Sequence, residues 1–281
     1  MSIYYVDGQF VPSDQAVIPV EDLAVLRGYG ICDILRTYKG TPYFLDEHLD
    51  RLVSSGSKTG IELPWTKEEL KDIVLTTLAK NDTTREVNIR IIITAGSSTD
   101  FFTPQGSPRL IVMVTPLPAL PESWYSQGIA VITHHQERSL PGAKVISYMS
   151  AAMALKEAQK QKAQEALYIT QENDALEGTT SNLFAFFQDT LVTPSDKVLK
   201  GITRKIILSM AQGRFKVEER ALPLDQLLQA DEVFISATNK GIVPVVRIDQ
   251  TVIGDGNPGS RTRRLMAMLE NHATEFMDSL S

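Results

Sequence analysis

The chain holds a single cysteine, Cys32, so no intrachain disulfide framework can brace it. No apolar run approaches the roughly 20 residues that a membrane helix needs. The opening residues, Met1 to Gly8, have neither the basic nor the apolar region of a secretory leader, and a cytoplasmic protein with no membrane partner is expected. Basic excess is missing as well: 28 lysines and arginines face 34 acids, for a net charge of -6, which argues against nucleic acid as a partner. Only 4 histidines are present, and two of them, His134-His135, are neighbours on a predicted strand, where they face opposite ways. No Cys, His or acid cluster accompanies them, so no metal site is expected. Gly254-Asp255-Gly256 lacks the strand–glycine–helix setting of a nucleotide loop and reads as a turn. Internal repeats and low-complexity segments are absent too.

What is there suits an ordinary globular protein. Of the 281 residues, 43% are hydrophobic and 22% charged, enough for a sizeable core and about two domains. Asp7-Gly8 marks a type I′ hairpin turn between strands at Ile3–Val6 and Gln9–Val11. A strand is predicted over Ile31–Tyr38, a turn at Lys39-Gly40-Thr41, and a short strand over Pro42–Leu45. Asp46 is placed as the N-cap of a helix carrying Leu49, Leu52 and Val53, and Thr66 with Glu69 forms a capping box for the next. The β-branched runs Val87–Thr94 and Arg109–Thr115 read as strands. Three prolines in Thr115–Pro121 end the first half. Domains are therefore drawn at 1–115 and 124–281, with a Pro-rich linker over 116–123. Beyond it, strands are expected at Gly128–Thr133, Asp231–Ala237 and Ile242–Ile248. Helices are expected at Ser150–Ala163, Thr203–Gln212 and Ser260–Ser279. The mixture predicts two α/β or α+β domains.

One stretch carries more chemistry than the rest. Leu176-Glu177-Gly178-Thr179-Thr180-Ser181-Asn182 lies between the apolar runs Glu165–Thr170 and Leu183–Phe187. Lys144 stands upstream in an apolar segment, and Gly201-Ile202-Thr203-Arg204 opens a helix downstream. A lysine in apolar surroundings can form a Schiff base. An acid can keep a pyridine nitrogen protonated, and a helix start binds phosphate through its amides and dipole. That combination suits pyridoxal 5′-phosphate. Each residue also has a plain reading: a surface lysine, a turn acid, and Thr203 as an ordinary N-cap. Cys32 reads as packing.

In order and spacing these motifs resemble the class IV aminotransferases, the fold type IV group of pyridoxal-phosphate enzymes, over almost the whole chain from Tyr4 to the last helix. The resemblance implies a two-domain α/β and α+β fold like that of D-amino acid aminotransferase. It makes Lys144 the Schiff-base lysine and Glu177 the partner of the pyridine nitrogen. Ser181 and Asn182 become cofactor contacts, and Leu199 packs on the ring face. Ile202, Thr203 and Thr238 contact the phosphate, as does Arg51 in the pattern His48-Leu49-Asp50-Arg51-Leu52.

The segment Asp22–Asp33 looks most like a subgroup of D-amino acid transaminases. In that subgroup an arginine here, from the neighbouring subunit, pairs with one on the strand Asn88-Ile89-Arg90-Ile91. Arg27 and Arg90 could then clamp a substrate carboxylate; the alternative is that both are structural salt-bridge partners. There are departures. The loop Ala95–Phe101 lacks the Arg and His of better-known D-amino acid enzymes. Cys32-Asp33 replaces the aromatic-Glu pair of branched-chain enzymes, and Asp33 replaces the Thr common in aminodeoxychorismate lyases. The resemblance thus implies a homodimeric transaminase with shared active sites, acting on a small amino acid, D first, and a 2-oxo acid. The alternatives are 4-amino-4-deoxychorismate lyase, which releases pyruvate and 4-aminobenzoate, and a cofactor-binding homologue without turnover.

Overall fold

Alternating apolar residues build the first sheet. The computed structural model describes residues 2–279. The chain forms two units, Met1–Pro118 with Gly142–Tyr148, and Ala119–Pro141 with Met149–Ser281. The first unit contains β1 (Ile3–Val6), β2 (Gln9–Pro12), α1 (Leu23–Arg27), β3 (Gly30–Tyr38), β4 (Thr41–Pro42), α2 (Leu45–Thr59), α3 (Lys67–Ala79), β5 (Val87–Thr94) and β6 (Arg109–Pro116). Its strands form one antiparallel sheet in the order β2-β1-β6-β5-β3-β4.

On β5, Val87, Ile89, Ile91 and Ile93 are buried while Arg90, between them, is exposed. The period of two turns the isoleucines to one face. There they join Ile31 and Leu35 of β3 with Leu49 and Leu52 of α2 and Leu70 and Val74 of α3 in one core. Burying each of these side chains stabilises by about 1.5–3 kcal/mol.

The hairpin turn has positive φ at both Asp7 and Gly8, as type I′ requires. The Thr66–Glu69 capping box is present. Two local expectations need correction. Asp46 is not an N-cap: α2 starts at Leu45 behind Phe44, which takes a left-handed conformation, and Asp46 lies in the first turn. There its charge favours the helix dipole. The strand predicted over Pro42–Leu45 shrinks to Thr41–Pro42, because the helix claims its end.

Gly142–Tyr148 belongs to the first unit although its sequence neighbours belong to the second. It lies antiparallel on the free edge of β3. Cys32 N–H donates to Lys144 O at 2.8 Å, Ile146 N–H donates to Gly30 O at 3.0 Å, and Ile31 bridges Val145. A β-carbon on Gly30 would meet Ile146 Cδ1 and the Ile93 carbonyl, each at 2.8 Å, so this close approach requires glycine.

The second unit contains α4 (Ser123–Ser126), β7 (Ile129–His135), α5 (Met149–Lys160), β8 (Glu165–Ile169), β9 (Ala175–Gly178), β10 (Asn182–Phe187), β11 (Thr190–Thr193), α6 (Ile202–Ala211), β12 (Lys216–Glu219), α7 (Leu224–Leu227), β13 (Glu232–Ala237), β14 (Gly241–Ile248), β15 (Thr251–Val252) and α8 (Ser260–Asp278). Its sheet runs β12-β11-β10-β13-β14-β7-β8-β9, with β15 beside β14, and β9 pairs back onto β10. The path from β10 through β13, β14, β7, β8 and β9 therefore closes. The closing pair is Asn182 opposite Glu177. Closure leaves no free edge along that path, and its apolar interior includes Val131, Leu167, Leu183, Val233 and Val243. Thr203 is not an N-cap: α6 begins at Ile202 behind Gly201. No helix among the described residues is long and apolar enough to cross a membrane.

Candidate active site

In the first unit one candidate residue, Arg51, meets a buried carboxylate, Asp33. Asp33 shares the parity of Ile31 and Leu35, so it points into the helix layer, where it is fully buried. His48 and Arg51 are three apart on α2 and reach it together. Arg51 Nε–H donates to Asp33 Oδ2 at 2.8 Å and Nη2–H to Oδ1 at 2.7 Å. His48 Nδ1 lies 2.6 Å from Oδ1, and the Ile34 amide donates to the same oxygen at 2.7 Å. Burial pushes the Asp33 carboxyl up, but Arg51 and His48 outweigh it and hold the group well below the usual carboxylate range. Burial likewise lowers His48, against the pull of Asp33. We read the histidine as neutral, with its Nδ1–H donated to the carboxylate. Arg51 is fixed by two of its nitrogens; the third, Nη1, has no hydrogen bond to a described residue and can meet an anion.

Lys144 sits on the added edge segment of the same unit. Its Nζ lies 3.2 Å from the Tyr148 hydroxyl and 5.9 Å from that ring's centroid. It makes no ion pair with a described residue. With no carboxylate holding it, the lysine nitrogen is free to be used in covalent chemistry. Arg27 ends α1 with its guanidinium over the Phe102 ring at 5.6 Å. Arg90 is exposed on β5 across from Ile34 and Met113.

In the second unit two candidates, Asn182 and Leu199, meet Glu177 at the closing strand pair. Glu177 is buried. Its Oε1 accepts from Arg138 Nε at 2.7 Å, and its Oε2 accepts from Asn182 Nδ2 at 3.2 Å and from the Leu199 amide at 3.1 Å. Asn182 also donates to the Leu199 carbonyl at 2.7 Å. One side chain thereby ties the acid to the segment entering α6. A β-carbon on Gly201 would collide with Asn182 Oδ1, so that entry needs glycine. Gly201 supplies no side-chain cap, which leaves the first-turn amides of α6, including those of Ile202 and Thr203, without a side-chain acceptor. Ser181 is turned elsewhere: its hydroxyl donates to Glu165 Oε2 at 3.2 Å. Thr238 starts the turn after β13.

Several residues were not anticipated. Arg138 bonds Glu177 and donates to the Thr179 carbonyl at 2.7 Å; its surrounding loop gives no local signal. Glu165 accepts from Thr179, Thr180 (2.9 Å), Ser181 and Lys240 Nζ (3.1 Å). An acid opening a strand whose every residue is buried was a readable sign of a buried partner. Tyr148 was visible only as a residue four beyond Lys144. Among the described residues no group of three or more His, Cys, Asp or Glu side chains could hold a metal ion.

Taken by itself, each unit offers donors that suit a phosphate-bearing, imine-forming cofactor: the first a fixed arginine with one open arm and a lysine without an ion pair to a described residue, the second an uncapped helix start and a buried acid. The comparisons agree. The profile of the family described as amino-transferase class IV matches residues 30–248. A Methanocaldococcus jannaschii protein, provisionally named a branched-chain-amino-acid aminotransferase, is 33% identical, with 97% of this chain and 96% of that protein aligned. The D-alanine aminotransferase of Bacillus licheniformis is 30% identical over 94% and 95% of the two chains. Among solved structures, the Escherichia coli branched-chain amino acid aminotransferase superposes with a TM-score of 0.88 at 26% identity, covering 94% of this chain and 92% of that one. Other solved branched-chain aminotransferases of the same fold hold pyridoxamine 5′-phosphate or a phosphopyridoxyl adduct. Fold, motifs and relatives converge: the chain belongs to the class IV aminotransferases, pyridoxal-phosphate enzymes of fold type IV.

Proposed function

We propose that this aminotransferase moves the amino group of a small D-amino acid to a 2-oxo acid, and that it does so as a homodimer. The observation that carries the substrate reading is the state of two arginines. Neither Arg27 nor Arg90 makes an ion pair with a described residue, which favours a carboxylate clamp over a structural salt-bridge role. The relatives' names include both D-alanine and branched-chain aminotransferases, so branched-chain L-amino acids are the second reading.

Bound pyridoxal 5′-phosphate supplies an electron sink for charge developing at a substrate's α-carbon. In our assignment Lys144 Nζ would hold it covalently until the substrate's amine replaces it there, and the freed Lys144 amine would then carry the proton from the substrate's α-carbon to the cofactor's carbonyl carbon as general base and acid. The Glu177 carboxylate keeps the pyridine nitrogen protonated, with Arg138 and Asn182 holding it in place. Arg51, Thr203, Thr238 and the first-turn amides of α6 hold the phosphate, and Leu199 lies on the ring. Ser181 acts through Glu165 rather than as a donor to the cofactor.

Half-reactions of the purified holoenzyme with matched D- and L-amino acids, followed by the cofactor's absorbance, test the reading. D-alanine should convert the cofactor faster than L-alanine or L-leucine. Arg27→Ala and Arg90→Ala should each raise KM strongly and leave the unreacted spectrum unchanged. A preference for L-leucine selects the second reading, and pyruvate release from 4-amino-4-deoxychorismate selects the lyase. Mixed dimers of one Lys144→Ala and one Arg27→Ala subunit should recover about half the activity if Arg27 serves its partner's site; no recovery refutes that sharing.

A further inference from the structure

Ser55 is fully buried, and the reading above gives it no role. It lies four residues beyond Arg51 on α2, which places its hydroxyl against the preceding turn. That hydroxyl donates to the Arg51 carbonyl at 2.8 Å and accepts from the Lys144 amide at 3.1 Å. One oxygen therefore joins the backbone of the lysine to the backbone of the arginine. One turn further along, Lys58 Nζ donates to the Gly142 carbonyl at 2.9 Å. The edge segment carrying Lys144 is thus fastened twice to the helix carrying Arg51, in addition to its pairing with β3.

From this we infer that Ser55 is a positioning residue that sets the separation between the phosphate anchor and the covalent anchor of the cofactor. The inference rests on the roles proposed above for Arg51 and Lys144. In pyridoxal 5′-phosphate the aldehyde and the phosphate are a fixed covalent distance apart. A ligand held at both ends gains over its separate halves only if the protein holds the two anchors at a matching distance; otherwise the second contact is made at the cost of distorting one of them. Removing the Ser55 hydroxyl leaves Arg51 bound to Asp33 and leaves Lys144 its amine. What it removes is the tie between them, and it leaves the part-buried Lys144 amide without its acceptor.

This predicts a selective loss. The full-length chain is stripped of cofactor and titrated with pyridoxal 5′-phosphate, with pyridoxal, which lacks the phosphate, and with inorganic phosphate as a competitor. Ser55→Ala should bind pyridoxal 5′-phosphate about tenfold more weakly. Its affinities for pyridoxal and for inorganic phosphate should each stay within about twofold of the parent's. Equal affinity for pyridoxal 5′-phosphate in both proteins overturns the inference. So does a proportional loss for all three ligands, which is what a merely structural role gives. Lys58→Met, a change at an exposed side chain, should show the same selective pattern at about threefold. It decides the matter if Ser55→Ala does not fold, and an unselective or null result there overturns the inference. Borohydride reduction and peptide mapping of the parent protein check the underlying assignment separately: a pyridoxyl label on a lysine other than Lys144 removes that assignment whatever Ser55 does.

Discussion

Asp33 in the first unit and Glu177 in the second are both buried carboxylates held by an arginine at 2.7–2.8 Å, yet their surroundings differ. Asp33 receives two nitrogens of one arginine and faces a buried histidine inside the apolar layer between β3 and α2. Glu177 receives one nitrogen of Arg138, and its other oxygen is fed by a side-chain amide and a backbone amide from the segment entering α6. The first arrangement neutralises a cation inside a core and fixes where that cation points. The second orients an anion by several weaker donors from the loops around it. Buried pairs of the first kind are costly to break, because the surviving partner is left charged and unsolvated. An acid of the second kind can be exchanged for its amide with less damage to the fold and more to chemistry that depends on its charge.

The widest gap between chemistry and stability is expected at neither carboxylate but at Lys144, which makes no ion pair with a described residue. Lys144→Ala should reduce turnover by roughly 10²–10⁴-fold or more through loss of the proton carrier alone and abolish borohydride-fixable cofactor. Its unfolding midpoint without cofactor should stay close to the parent's. Activity above a tenth of the parent's would remove Lys144 from the chemistry.

The two carboxylates should then separate. Asp33→Ala is expected to cost about 3–5 kcal/mol in urea unfolding. Glu177→Gln is expected to cost about 1 kcal/mol while lowering kcat roughly a hundredfold, the scale of a lost contact to charge that develops in the reaction. Equal stability losses in the two variants would erase the contrast drawn above.

The smallest effect concerns pH. His48 is lowered by burial and Asp33 by its partners, so in each case the unfolded chain binds the proton more readily than the folded one. Both contributions are present in full above the unfolded pKa and fade as pH falls toward the folded value. The histidine's share should begin to fade below about pH 6.5 and the aspartate's below about pH 4. Stability should therefore decline from pH 7 to 5 in the parent and more shallowly in His48→Gln; parallel curves would show that His48 does not titrate between the states.

Much of the first unit was legible because its signals are local. Val87–Thr94 alternates faces residue by residue, and Thr66 with Glu69 carries its cap within one turn. The N-cap at Phe44 was illegible because a left-handed aromatic at a helix start follows from packing, not from propensity. Among the candidate residues, Glu177 and the Gly201 turn were readable from chemistry and order. The Asp33–His48–Arg51 cluster was half readable: strand parity and helical spacing give the direction of each side chain, but only the fold joins the two elements. Arg138 and Ser55 could not be found, since each acts on a residue dozens of positions away through a loop or a helix with no motif of its own.

The placement of residues 142–148 in the first unit has a consequence for synthesis. The N-terminal unit emerges from the ribosome with one edge of β3, from Gly30 to Cys32, still unpaired, and exposed strand edges recruit other chains. Its closing segment arrives only after the first strand of the second unit has been made. Covalent loading of cofactor therefore cannot precede that step. A truncated chain ending near Pro118 would lack both the lysine and its own edge protection, so nascent chains stalled there should be more prone to aggregate than chains stalled beyond Tyr148.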